Sequence, residues 1–185
     1  MLIYFNFEDA VLGGPFDPAS DEVPPLGDNP GGGIQHSTID TNMTVTGAVV
    51  GTLLNRTPGD IDTANASGLA MGMRTTPPDN GHHIQFSFNA TVFSNMSWSF
   101  AINTQGNGFN TVTFSYSTTG PGGTFTNFNT MFIPSGGGFQ IFSSVVPPAV
   151  DGQPNVTSRL TFNGGASHGN DLQTVIDNIQ LTGVP

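Results

Sequence analysis

The stretch QTVIDNIQLTGV, from Gln173 to Val184, decides how we interpret the rest of the chain. Val175, Ile179 and Leu181 fall on one parity of a two-residue repeat, and polar residues occupy most of the other parity. This alternation predicts a β-strand with one buried face. Ile176 is the one apolar residue that breaks the pattern.

Asp177 lies on the apolar parity of this strand, so we expect its carboxylate to point into the core. An unpaired buried charge is costly, and the chain contains no Lys that would neutralise it. A metal ion is therefore the simplest partner. Because the first and last strands of a β-sandwich commonly lie side by side, we expect Glu8 and Asp9 to lie near Asp177. We predict a metal site formed by these three residues.

The composition is acidic but contains few charged residues. Among 185 residues there are 13 acidic and three basic side chains and no Cys, which gives a net charge of −10 at pH 7. This charge argues against nucleic acid and anionic membranes as partners. No apolar run is long enough to predict insertion into a membrane. A surface made of Asn, Thr, Ser and Gly suits a secreted or cell-surface protein. The length predicts one domain covering residues 1–185.

A long acidic loop rich in Pro and Gly is predicted at residues 9–33. Six of the 13 acidic residues lie within the first 28 positions. Two interpretations remain open: the loop is simply solvated, or calcium orders it, because hard oxygen ligands on a flexible backbone suit that ion. The later sequence DIDTAN, with Asp60, Asp62 and Asn65, is a weaker cation candidate because its third ligand is out of register with an EF-hand loop.

The middle of the chain has the regular alternation of antiparallel strands. Residues 83–90, 96–103 and 110–117 place an apolar side chain at every second position, and turns rich in Gly separate these segments. Similar patterns predict strands at 1–7, 43–50, 68–74, 124–133, 138–146 and 155–163. We therefore predict an all-β fold: an antiparallel two-sheet β-sandwich of jelly-roll type, with a core that consists largely of Phe.

Four segments of the chain form a recognisable set: FNFED at 5–9, FSYSTTGPGGTFTNF at 114–128, NVTSRLTFNGG at 155–165 and IDNIQLTGVP at 176–185. Together they resemble the β-sandwich ectodomains of bacterial PEP-CTERM proteins, which exosortases sort to the cell surface. Val184 and Pro185 match the start of the sorting motif of that family. The resemblance implies an extracellular or cell-surface location.

Phe7 ends the first predicted strand and Glu8 follows it, while Asp177 lies in the sequence Asp-Asn-Ile of the last strand. In these features the chain has a weaker resemblance to MAM-type and carbohydrate-binding jelly rolls. In those domains, acids at such positions hold a structural calcium ion. The resemblance therefore implies calcium bound by Glu8 and Asp177, with Asp9 as a third ligand.

Catalytic motifs are weak in this sequence. The segment GASHG, residues 165–169, formally matches a nucleophile elbow at Ser167, but that motif needs a strand-to-helix turn and a later His. His82 and His83 are neighbours, so on a strand they face opposite ways, whereas His36 and His168 are predicted in loops. We expect the protein not to be an enzyme.

Two functions remain open. The first is a non-catalytic, secreted structural β-sandwich of the bacterial cell surface or extracellular matrix, stabilised by calcium and self-associating into fibres or a surface layer. The alternative is a carbohydrate-binding module for exopolysaccharide or another glycan. Because Trp98 and Tyr116 are predicted in the core, Tyr4 or a loop residue such as Phe109 would have to stack on the sugar.

Overall fold

The computed structural model of the chain describes residues 3–5, 36–39, 44–50, 52, 54–55, 69–74, 80–166 and 172–185. These residues form two antiparallel sheets. The strands are β1 (Ile3–Phe5), β2 (His36–Ile39), β3 (Thr44–Val50), β4 (Leu69–Arg74), β5 (His83–Phe88), β6 (Ser94–Thr104), β7 (Thr111–Ser117), β8 (Thr126–Phe132), β9 (Gln140–Val145), β10 (Val156–Asn163) and β11 (Leu172–Val184).

One sheet has six strands and the other has five. The six-stranded sheet has the order β3-β4-β11-β6-β9, with β1 also paired to β11, and the five-stranded sheet has the order β2-β5-β10-β7-β8. The two sheets enclose the apolar core, so the predicted all-β sandwich is confirmed. The described residues include one short 3₁₀ turn, Pro148–Val150, and no helix among them is long and apolar enough to cross a membrane.

Strand β11 occupies the centre of the six-stranded sheet. Strand β6 pairs along one of its edges, while β4 and β1 share the other. The pairing with β4 ends where Ile176 lies opposite Met71, and the pairing with β1 begins where Ile179 lies opposite Phe5. The predicted contact between the first and last strands is therefore present.

The structure corrects the assignment of His36, which we expected in a loop. His36 begins β2 and lies opposite Ser87 of β5. The sequence HSTI contains a single strongly apolar residue, Ile39, so its alternation is too short to predict a strand. The segment forms a strand because it pairs with β5, which lies farther along the chain, and the local sequence pattern does not show this pairing.

The core is built from aromatic side chains that the alternation predicted. Trp98 and Phe100 of β6 are fully buried, and their rings contact rings on the opposite sheet. Trp98 lies 4.9 Å from Phe86 between ring centroids, and Phe100 lies 5.8 Å from Phe114. Tyr116, which we also expected inside, is only half-buried at the margin of the core.

A polar contact at the centre of the core links the two sheets. The indole Nε1 of Trp98 donates a hydrogen bond to the hydroxyl of Ser158 at 3.2 Å, and both side chains are buried. A buried indole N–H without an acceptor would be costly, so Ser158 permits Trp98 to lie at the centre of an apolar core.

We predict that Ser158→Ala lowers the free energy of unfolding by about 1–3 kcal/mol, because the Trp98 N–H loses its acceptor in the core. Denaturant unfolding followed by circular dichroism measures the change. Ser143→Ala is the matched control, since Ser143 is exposed on β9, and it should leave stability nearly unchanged. Equal stability of both variants would contradict the role of this hydrogen bond.

Candidate functional site

A β-bulge in β11 lies at the centre of the region predicted to bind metal. The register of β11 against β6 shifts between Asp177 and Gln180, and Asn178 adopts a positive φ of 49°. The extra residue reverses which parity faces the core. Ile176 is therefore buried before the bulge and Ile179 after it. A single regular strand could not bury both.

This bulge corrects the expected direction of Asp177. Asp177 lies opposite Ala101, whose neighbours Phe100 and Ile102 belong to the core. Since directly opposite residues share a face of the sheet, Asp177 projects from the outer face rather than into the core. It is nevertheless only 1% exposed. Another part of the chain must therefore cover its carboxylate.

The segment containing Thr52, Leu54 and Asn55 lies against the bulge. The Nδ2 of Asn178 donates to the carbonyl oxygens of Thr52 and Leu54, both at 2.9 Å. In return, the Nδ2 of Asn55 donates to the carbonyl oxygen of Asn178 at 2.8 Å. The β4 and β1 pairings with β11 leave out Asp177 and Asn178, so this segment supplies hydrogen bonds where neither strand does.

Backbone amides hold the Asp177 carboxylate. The N–H of Thr52 donates to Oδ2 at 2.9 Å, and the N–H of Asn178 donates to Oδ1 at 2.8 Å. Hydrogen bonds to both oxygens favour the ionised form of a buried carboxylate. Part of the compensation that we expected from a metal ion therefore comes from the backbone.

The metal site predicted at Glu8, Asp9 and Asp177 stays a prediction. Glu8 and Asp9 lie outside the described residues, and within the described part of the chain no three His, Cys, Asp or Glu side chains form a cluster. One further side-chain oxygen of the type that binds metal ions lies on the same face of the sheet as Asp177. Asn103, opposite Val175, has a buried Oδ1 for which the described residues provide no hydrogen-bond donor.

The outer face of the five-stranded sheet is a second candidate site, which we call the polar face. Its side chains alternate with the core residues of β5, β7 and β10, and nearly all of them are uncharged hydrogen-bonding groups. Ser87 and Thr157 share a hydrogen bond at 2.9 Å on this face. The polar face consists of His83, Gln85, Ser87, Thr111, Thr113, Ser115, Ser117, Thr157, Arg159, Thr161 and Asn163.

Arg159 attaches the loop after β7 to the polar face. Its guanidinium carbon lies 3.5 Å from the centroid of the Phe125 ring, its Nε donates to Gln85 Oε1 at 3.0 Å, and an Nη donates to the carbonyl oxygen of Pro121 at 3.4 Å. A Cβ at Gly123 would collide with the Ser117 hydroxyl, so a glycine permits the close approach of this loop.

The loop divides the polar face into covered and open parts. Ser115, Ser117 and Thr157 are buried. Gln85 and Thr161 remain partly exposed. The result is a surface of hydroxyl, amide and guanidinium groups bordered by a loop that carries an aromatic ring. The sequence alone does not reveal this face because its residues come from three separated strands.

The structure corrects one of the two stacking residues that we expected, Phe109, whereas the side chain of the other, Tyr4, lies outside the described residues. Phe109 is fully buried and packs on Phe162, with 5.6 Å between ring centroids, so it cannot stack on a ligand. Phe125 and Phe132 are the alternatives that the structure provides. Phe132 lies opposite Thr111 and is 66% exposed.

The other candidates from the sequence fall partly within the described residues and partly outside them. Ser167 and His168, as well as the DIDTAN segment, lie outside the described residues. His82 and His83 are half-buried, and His83 begins β5 on the polar face. Asp151 and Asp177 are the carboxylates within the described residues, and they belong to different parts of the fold.

Comparison with known proteins supports the architecture. No family model and no curated protein sequence matches the chain. Among solved structures, the CBM22-1-GH10 modules of Clostridium thermocellum xylanase 10B, complexed with xylohexaose, align with 100% of this chain and 28% of that chain, at 11% identity and a TM-score of 0.56. An exo-β-agarase aligns with 100% of this chain and 25% of its own, at 15% identity and a TM-score of 0.54.

The likeness is one of fold. The chain spans about a quarter of the length of these two proteins. A third structure, the module CBM6cm-2 from Cellvibrio mixtus lichenase 5A in complex with cellotriose, aligns with 98% of this chain and 96% of its own, at 15% identity and a TM-score of 0.43. The chain has a β-sandwich fold with structural likeness to carbohydrate-binding modules.

We predict that Asn178→Ala lowers the free energy of unfolding by about 2–4 kcal/mol, because it removes two buried hydrogen bonds and strains a positive-φ backbone. Asn95→Ala is the matched control. Asn95 also has a positive φ, 50°, but its side chain is exposed, so its replacement should cost only about 1 kcal/mol. Equal losses in denaturant unfolding would show that the side-chain hydrogen bonds of Asn178 contribute nothing.

Proposed function

We propose that this protein is a non-catalytic, extracellular carbohydrate-binding β-sandwich. Of the two functions that the sequence leaves open, the fold comparison favours this one over a purely structural surface protein. The observation that carries the proposal is the polar face. It presents amide, hydroxyl and guanidinium groups on a rigid sheet, and these groups match the hydroxyl-rich surface of a polysaccharide.

The charge distribution supports a neutral ligand. Residues 80–150, which include β5 to β9, contain no Asp, Glu, Lys or Arg, and Arg159 is the one charged side chain on the polar face. A neutral glycan needs hydrogen bonds and apolar contact more than charge, whereas an anionic ligand would need a cluster of basic residues. The proposed ligand class is therefore a neutral polysaccharide.

The aromatic contribution is small on this surface. The ring of Phe125 lies beside the open part of the polar face, with Arg159 on one of its sides. Phe132 adds an exposed ring near Thr111. An aromatic ring next to hydrogen-bonding groups provides both an apolar and a polar contact for a sugar. We propose that Phe132 stacks on a sugar ring of the bound polysaccharide.

The remaining features of the proposal come from the sequence. The resemblance of the sequence to PEP-CTERM proteins is the sole basis on which we propose a location at the bacterial cell surface, because no family model matches the chain. Calcium held by Asp177, Glu8 and Asp9 would be structural, and Asn103 Oδ1 offers a further oxygen on the face where Asp177 lies. The register of β1 against β11 supports this set, because β1 runs toward Asp177 and Glu8 follows it.

We predict that the protein is retarded in native gels containing a neutral polysaccharide such as xylan. Arg159→Ala and Thr161→Ala should weaken that binding about 10-fold or more, because they remove groups from the polar face. Thr182→Ala, an exposed substitution on the other sheet, is the matched control and should bind as the wild type does. Absence of retardation across a panel of neutral polysaccharides would contradict the proposed function.

We predict that calcium raises the melting temperature of the wild type and leaves that of Asp177→Asn unchanged. Asp177→Asn also loses an acceptor for an amide N–H, so it should melt lower than the wild type even in chelator. Asp151→Asn, which changes the other described carboxylate, should keep the full calcium response. An equal calcium response in Asp177→Asn would show that Asp177 is not a ligand.

A further inference from the structure

Strand β9 leaves one edge of the six-stranded sheet open. It pairs with β6 without a register shift, and within the described part of the chain no strand pairs with its other side. Within that part, no other strand pairs with the outer backbone N–H and C=O groups of β9. Natural edge strands usually carry Lys, Pro or a bulge that blocks such pairing, and the sequence QIFSSV has none of these.

The outward side chains of β9 are unusually apolar for an edge. Ile141 is 52% exposed and Val145 is 73% exposed, with Ser143 between them on the same face. Burial of such side chains is favourable. Strand β8, on the edge of the other sheet, differs because a bulge between Phe114 and Ser115 interrupts its pairing with β7. The regular, open edge on this side of the sandwich is therefore β9.

The distribution of charge identifies what can approach this edge. The chain has a net charge of −10, so two copies repel each other overall. Residues 80–150 contain no Asp, Glu, Lys or Arg, and this range includes β9, its sheet partner β6, and β8 of the other sheet. The β9 edge is thus a part of the surface where two copies meet with little repulsion.

We propose that β9 pairs antiparallel with β9 of a second copy of this chain, about a two-fold axis centred on Ser143. In this register Ile141 lies opposite Val145 of the second copy, and the same pair repeats on the other side of the axis. The Ser143 side chains of the two copies face each other. The exposed apolar residues of each copy thus cover those of the other, and no charge lies at the axis.

The pairing also has a consequence that rests on the proposed function. A two-fold axis perpendicular to the shared sheet places the polar faces of both copies on the same side of the dimer. Two such faces bind one long polysaccharide more tightly than one face does, through effective concentration alone. The dimer itself is measured without any glycan, so its failure and a failure of glycan binding are separate results.

Sedimentation velocity over a wide range of protein concentration tests the dimer. The wild type should shift from monomer to dimer as concentration rises. Ser143→Lys and Ser143→Glu should each weaken dimerisation about 10-fold or more, because like charges then face each other at the axis. An equimolar mixture of the two variants should dimerise again, since opposite charges then meet across the axis.

Asn127→Lys on β8 is the matched control, because Asn127 is exposed on an edge strand of the five-stranded sheet. It should dimerise as the wild type does. A wild type that stays monomeric at every concentration overturns the proposal, as does a dimer that Ser143→Lys leaves intact. Recovery of each variant's native circular dichroism excludes unfolding as the cause of a lost dimer.

Discussion

The hydrogen bonds between the Asp177–Asn178 bulge and the segment containing Thr52 are the interaction on which the six-stranded sheet depends. Strand β11 must pair with β4 over its first half and with β1 over its second half. The bulge falls between the two pairings and reverses the parity of the strand, which allows Ile176 and Ile179 both to enter the core. The Thr52 amide of this segment donates one of the hydrogen bonds that the buried Asp177 carboxylate accepts, which lowers the cost of burying its charge.

Much of the fold could be predicted from the sequence, because apolar and polar residues alternate clearly within most of its strands. The segment around Trp98 and Phe100 shows the parity that the structure buries. The bulge could not be predicted in this way, since it follows from pairing with β6 and from the left-handed backbone of Asn178. The predicted direction of the Asp177 side chain was wrong because the prediction assumed a regular strand without this bulge. The residue type was still informative, because a buried Asp does need partners.

The polar face was harder to predict from the sequence than the fold was. The polar face combines residues from β5, β7 and β10, and their proximity depends on strand order rather than on spacing in the chain. Phe109 was a wrong choice for a stacking residue because it packs on Phe162 within the core. Its position between strands in the sequence does not reveal this burial. The two sheets thus carry different features: the bulge lies in the six-stranded sheet, and the five-stranded sheet carries the polar face for which we propose glycan binding.

Hydrogen exchange of individual backbone amides tests the central role of the bulge most directly. The Thr52 amide lies outside every strand, yet we predict that it exchanges as slowly as the amide of Ile176 in the middle of β11, because it is bonded to the Asp177 carboxylate. Its protection would then be lost only when the sheet opens. Exchange as fast as that of an exposed turn residue such as Gly122 would contradict the account.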